Sequence, residues 1–321
     1  MRESFDQRQQ ERLDKFEALL ADAAVAQTDF VTEAAQHVIS AGGKRFRPML
    51  VFAASEFGEQ PVDEAALQEA AMVMELTHVA SLYHDDVMDE ADIRRGAPSA
   101  NRFYGNSVAI LVGDFLFSQA SYMVAGLGVE FVKLQAKTFG RLVQGQIAET
   151  VGPEEGADPL QHYLDVIADK TGSLIAASAC FGAMVSKATP EVVDALRLFA
   201  EEIGVVFQLS DDLIDINSDV TGKTPGTDLR EGVATLPVLM LRKENNPDDA
   251  ELLALIDGDL SSDEALAEAL EALRAHPVMD RAQAELQRHA DQARAHLAPL
   301  PDNAAKETLL RVCDELVTRS H

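Results

Sequence analysis

Apolar residues recur at three- and four-residue spacings along most of the chain, and no stretch alternates with period two for long enough to make a sheet. The pattern predicts an all-α bundle with its polar chemistry at one end and an apolar interior. Residues 1–40 read as one or two amphipathic helices that stop at Gly42-Gly43, and another helix follows over 49–57. The run 62–95 contains no Gly and no Pro and reads as helix throughout. Residues 107–124 are strongly apolar, broken only by Gly113-Asp114, where Asp114 is either buried and paired or lines a pocket. Helices are expected over 130–150 and 163–185 with a loop at 152–159 between them. From Glu231 the helical pattern resumes, with breaks near 245–248, 258–262 and 299–301.

Polar residues that interrupt this pattern carry the candidate chemistry. Asp85, Asp86 and Asp89 close the apolar run of Met72, Val73, Met74, Leu76, Val79 and Leu82. On a helix, Asp85 and Asp89 stand one turn apart on one face, where like charges repel unless something cationic binds. Mg²⁺ suits such a group, because it takes oxygen ligands from one or two carboxylates and completes its shell with water and phosphate. A solvated acidic helix end is the plain alternative. Asp211, Asp212 and Asp215 repeat the spacing after a second apolar run, which favours the metal reading.

Cationic groups flank the acidic ones. Lys44, Arg45 and Arg47 precede the helix at 49–57, where a helix N-terminus suits a phosphate, although a solvated basic turn has the same composition. Arg94 and Arg95 follow the first acidic cluster, placed either to grip a diphosphate or to bridge back to the same carboxylates. His78 lies two turns before Asp85 and is either a core histidine or a ligand. Lys170 and Thr171 open a small, apolar helix and resemble a further phosphate contact. Residues 221–228 have the composition of a mobile loop in which Lys223 closes over phosphate. They lack the Walker A pattern.

A net charge of −27 argues against nucleic acid as a partner. The two cysteines, Cys180 and Cys313, suggest neither a disulfide framework nor a thiol zinc site. No repeat or low-complexity linker divides the 321 residues, so one domain over 1–321 is expected. No apolar run reads as a membrane span and the start is polar, so a soluble, cytoplasmic protein is expected.

Four signatures in order, GGKRFRP, HDDVMDEADIRRG, KTG, and QLSDDLID followed by GKTPGTD, resemble those of the trans-isoprenyl diphosphate synthases, or polyprenyl synthetases, over roughly residues 42–237. The resemblance implies an isoprenoid synthase fold around a deep apolar cavity with both acidic clusters at its mouth. It also implies condensation of isopentenyl diphosphate with an allylic diphosphate, in a homodimer for which residues 107–124 offer an interface. By the same resemblance Asp85, Asp89 and Asp211 are direct ligands to about three Mg²⁺ ions, with Asp86, Asp212 and Asp215 acting through water. Arg94, Lys170, Lys223 and Gln208 are implied for the allylic diphosphate, and Lys44, Arg47, His78 and Arg95 for isopentenyl diphosphate. Glu149 would orient Lys170, and Thr171 and Gln208 would turn oxygens toward the allylic cation.

Product length is expected from the residues four, five, eight and eleven before Asp85, namely Ser81, Ala80, Thr77 and Met74. By the same resemblance, short-chain members typically carry a bulky aromatic at one of the first two or insert two residues within the first acidic cluster; this sequence does neither, and Ala80 and Ser81 are small. The growing chain is therefore expected to pass at least one turn deeper, with eleven residues of helix giving about 16 Å of depth, and the resemblance then implies an all-trans product of about seven to ten isoprene units, about C35–C50, of the kind used for quinone side chains. A nearer floor built from Met74, Met123, Phe115 and Phe117 would give geranylgeranyl diphosphate. A class I terpene cyclase is disfavoured by the second DDxxD, and a non-catalytic subunit by the presence of both clusters. A catalytic subunit that needs a small partner stays open, and an inert helical scaffold would require every charged cluster to be accidental.

Overall fold

The computed structural model describes residues 2–217 and 225–319, and Lys223 lies outside the described residues. Its elements run α1 (Arg2–Ala23), α2 (Asp29–Ser40), α3 (Phe46–Ala54), α4 (Glu64–Met88), β1 (Ile93–Arg94), β2 (Ala97–Pro98), α5 (Ala100–Tyr104), α6 (Asn106–Leu127), α7 (Val129–Val151), α8 (Pro159–Ile167) and α9 (Ser173–Val185). They continue with α10 (Pro190–Asn217), α11 (Thr227–Arg230), α12 (Leu236–Glu244), α13 (Ala250–Ile256), α14 (Asp263–Arg274), α15 (Val278–Leu297) and α16 (Ala304–Thr318). The chain divides into two compact units, one of residues 1–140, 174–197 and 299–308, the other of residues 141–173, 198–298 and 309–321.

In the first unit α4 is the central helix. Asp63 caps its N-terminus by accepting from the backbone N–H groups of Ala65 and Ala66 at 3.0 and 3.1 Å. Leu67, Met72, Met74, Leu76 and Tyr83 on it are fully buried among Phe16, Phe52 and Leu116, a burial of about 1.5–3 kcal/mol per large apolar side chain. Alongside runs α6, which comes close at Gly113: a Cβ there would lie 2.4 Å from the His84 ring and 3.2 Å from the Ala80 carbonyl. The opposite face of α6 is apolar and exposed, with Leu111 and Tyr122 outermost. Contrary to the expectation for its sequence, α6 is long and apolar enough to cross a membrane, with a mean hydropathy of 1.5. It nonetheless carries Asp114 and is packed along α4. Asp114 is exposed rather than buried, 3.5 Å from His84 Nε2.

The helix expected over 62–95 ends early. The Ala91 N–H closes back on the Asp86 carbonyl at 3.0 Å and Glu90 takes a left-handed conformation, φ 49°. The chain then folds into a two-stranded hairpin, Ile93 opposite Pro98 and Arg94 opposite Ala97, in place of the expected absence of sheet. Its two-residue loop, Arg95-Gly96, has φ of 53° and 78°, the left-handed pair of a type I′ turn.

In the second unit Ile216, Leu229, Val238, Leu241, Ile256, Leu270, Leu273 and Val278 form the core. The breaks expected near 245–248 and 258–262 separate α12, α13 and α14, and a further break at 275–277 divides α14 from α15. Cys180 and Cys313 are buried and not joined to each other.

Candidate active site

In the first unit the basic residues after Gly43 separate into two roles. Arg45, φ 48°, turns inward: its Nε reaches Glu17 at 2.6 Å and its Nη1 reaches the buried Glu75 at 3.0 Å. Arg47 keeps a buried Nε with no hydrogen-bond partner among the described residues. Burial brings Arg47 down to about 10, with Glu75 opposing and Arg95 adding to the drop. Arg95 donates to the carbonyls of Val38 (3.1 Å) and Gly42. A side chain at Gly43 would meet the guanidinium groups of Arg45 and Arg95 at 3.0–3.1 Å, so glycine admits both. Lys44 is exposed.

His78 sits among these cations. Burial, then the fields of Arg47, Arg95, Arg94 and Arg45, hold its imidazole well below the ordinary value of 6.5. The imidazole thus feels the fields of four guanidinium groups, a concentration of positive charge that could suit an anion.

At the end of α4, Asp85 and Asp89 stand one turn apart, the Asp89 N–H bonded to the Asp85 carbonyl at 2.8 Å. Asp86 is completely buried, and its Oδ1 accepts from Arg94 Nε at 2.7 Å and Nη2 at 2.5 Å. Its Oδ2 is buried with no hydrogen-bond partner among the described residues. The hairpin thus brings Arg94 back over the first acidic cluster, the bridging alternative of the sequence reading. Ser81 and Met74 lie on the Asp85 face of α4, and Thr77 lies between it and the His84 face, each buried, whereas Ala80 shares the His84 face that meets α6. Phe117 stacks at 5.5 Å on His84 and at 4.5 Å on Phe139.

In the second unit Asp212 is buried, accepts from Tyr163 Oη and, at 2.9 Å, from Gln208 Nε2. Burial pushes its carboxyl up to about 7, although both donors pull it down. Asp215 accepts from the N–H groups of Thr227 (3.4 Å) and Asp228 (3.2 Å) and so holds the start of α11. Asp211 faces Arg319 at 2.9 Å. The helix expected over 163–185 is interrupted by a π-helical turn, Ala168–Gly172, which contains Lys170 and Thr171. Such turns arise where a function repays the poorer geometry. Lys170 Nζ donates to Glu149 at 2.5 Å.

Among the described residues no three carboxylate, imidazole or thiol groups converge closely enough to hold an ion alone. The donors present are hard oxygens, and the orphaned Asp86 Oδ2 and proton-prone Asp212 both suit a divalent cation that draws its other ligands from water and phosphate. Sequence reading missed Tyr163, Arg319, Glu75 and Arg141. Their partners lie tens of residues away, so nothing in the sequence pairs them, although the Arg–carboxylate partners are complementary in charge.

The polyprenyl synthetase family model matches residues 28–273. The chain is 48% identical over 303 residues to a nonaprenyl diphosphate synthase of Mycobacterium tuberculosis, covering 94% of this chain and 90% of that one. Among solved structures it resembles a geranylgeranyl pyrophosphate synthase from Corynebacterium glutamicum complexed with calcium and isoprenyl diphosphate (TM-score 0.89, 46% identity, covering 98% and 97% of the two chains). It also resembles a decaprenyl diphosphate synthase from Rhodobacter capsulatus (TM-score 0.88, 28% identity, covering 100% of both). With its helical architecture, of the isoprenoid synthase fold, and these matches, the chain belongs to the polyprenyl synthetase family.

Proposed function

We propose that the chain is a Mg²⁺-dependent trans-prenyltransferase, a single functional domain and homodimeric, that joins isopentenyl diphosphate to an allylic diphosphate and elongates to a medium- or long-chain all-trans product. The observation that carries this is the group of Arg45, Arg47, Arg94 and Arg95 around His78, on and beside a buried apolar helix that ends in Asp85, Asp86 and Asp89. The exposed apolar face of α6 supports the dimer. A net charge of −27 supports a soluble protein, for which we propose a cytoplasmic location.

Asp85, Asp89 and Asp211 would hold the divalent ions directly, with Asp86, Asp212 and Asp215 acting through water. When bound, the ions supply charge neutralisation to the departing diphosphate. Arg94, Lys170, Lys223 and Gln208 would bind the allylic diphosphate, and Lys44, Arg47, His78 and Arg95 the isopentenyl diphosphate. Thr171 and Gln208 would offer oxygens to the allylic cation as it forms. No side chain of the site is needed as a nucleophile; the released diphosphate takes the final proton.

The small Ser81 on the Asp85 face, and the nonaprenyl relative, support the longer product; Ala80, packed against α6, does not line that path. A geranylgeranyl product is the second reading, favoured by the Corynebacterium neighbour and by the Phe117–Phe139–His84 stack as a nearer floor. To test the site, Asp85→Ala and Asp211→Ala are compared with the unaltered protein: both should lose Mg²⁺-dependent condensation while keeping the helical circular dichroism. Near-normal turnover in either contradicts the metal assignment.

A further inference from the structure

Three residues of α7 spaced four apart, Arg141, Gly145 and Glu149, share one helical face. All three meet the π-helical turn Ala168–Gly172. Arg141 Nε donates to Asp169 Oδ1 at 2.8 Å, and its Nη1 donates to Glu201 Oε1 of α10, also at 2.8 Å. At Gly145 an added Cβ would lie 2.7 Å from the Lys170 backbone nitrogen, so only glycine lets the turn approach this closely. Glu149 takes Lys170 Nζ. From the other side α10 contributes Gly204, where a Cβ would lie 2.4 Å from Gly172 Cα.

The turn is therefore seated between two glycines and tied at its first charged residue by a guanidinium fork. We infer that Arg141 is a positioning residue: by bridging Asp169 to Glu201 it sets the rotation of the π-helical turn and hence the direction in which Lys170 and Thr171 are presented. This rests on the reading of Lys170 as an allylic diphosphate ligand. Planarity matters, because the two N–H directions of one guanidinium reach two carboxylates at once, whereas an ammonium at this place satisfies one.

The test compares Arg141→Ala, Arg141→Lys and Asp169→Asn with the unaltered enzyme, each also in a Lys170→Ala background, measuring KM separately for the allylic and the isopentenyl diphosphate. Arg141→Ala and Asp169→Asn should raise the allylic KM about ten-fold and leave the isopentenyl KM within about two-fold, with Arg141→Lys in between. In the Lys170→Ala background the same changes should add less than about two-fold, because Arg141 acts through the residue already removed. If Lys170→Ala raises the allylic KM and Arg141→Ala does not, or if the two effects simply add, the inference about Arg141 is overturned. If Lys170→Ala itself leaves the allylic KM unchanged, the reading of Lys170 falls, and the inference with it. Melting temperature separates these outcomes from unfolding, and Gly145→Ala, which displaces the turn from the same helix face, should reproduce the allylic defect.

Discussion

Arg319 Nη2 lies 2.9 Å from Asp211 Oδ1, so a cation from the end of the chain already neutralises one of the carboxylates proposed to hold metal. Its guanidinium also lies 4.6 Å over the Phe207 ring and donates to Ser210 Oγ at 2.9 Å and the Phe207 carbonyl at 3.0 Å. Divalent metal held at Asp211, as proposed, would have to compete with this pair.

Arg319→Gln should therefore tighten metal binding in the absence of substrate. The pair is partly exposed, and such pairs contribute about 0.2–1 kcal/mol, so the gain is about two- to five-fold in the dissociation constant. Mn²⁺ binding followed by electron paramagnetic resonance reads it directly. Unchanged or weaker Mn²⁺ binding would show that Arg319 does not compete.

Ser81 and Ala80 should differ in their response to a bulky substituent. Ser81 shares the face of Asp85, whereas the backbone at Ala80 lies against Gly113 of α6. Ser81→Phe should shorten the product and preserve turnover. Ala80→Phe should destabilise the fold by about 1–3 kcal/mol through overpacking. Chromatography of the dephosphorylated products, with thermal melts of both variants, checks the contrast; equal shortening without loss of stability at Ala80 would contradict it.

His78 makes stability depend on pH. Its folded-state pKa is depressed by burial and by Arg47, Arg95, Arg94 and Arg45, while Glu75 acts on the neighbouring Arg47. Above its ordinary value of 6.5 the imidazole is neutral in both folded and unfolded chains and contributes no dependence. Below that value the unfolded chain takes a proton that the folded one refuses, so stability falls, by about 1 kcal/mol for the first unit, until the folded pKa is passed. His78→Gln should flatten this decline between about pH 6.5 and 5.5 in the unliganded protein, as read by chemical denaturation. An identical decline in the variant would rule His78 out as its source.

Spacing alone made the acidic clusters legible, because Asp85 and Asp89 depend only on helical period. The division of labour between Arg45 and Arg47 was not legible. It follows from Glu17 and Glu75, which meet Arg45 28 and 30 residues away. The end of α4 at Met88 was hidden for a similar reason: nothing in 89–95 breaks a helix, and it is the hairpin and the Arg94–Asp86 pair that turn the chain. The π-helical turn inside 163–185 left no compositional sign beyond Gly172. The C-terminal third carried no interpretable motif, yet through Arg319 it reaches Asp211.

The most direct measurement is to incubate the purified protein with Mg²⁺, labelled isopentenyl diphosphate and either farnesyl or geranylgeranyl diphosphate, and to size the products after dephosphorylation. The account predicts metal-dependent elongation to about seven or more isoprene units, which requires the chain to pass the small Ser81 and run beyond the level of Met74, about 16 Å from Asp85. Accumulation at about four units would place the floor near Phe117 and favour the geranylgeranyl reading. Absence of any condensation product with metal present would contradict the central claim.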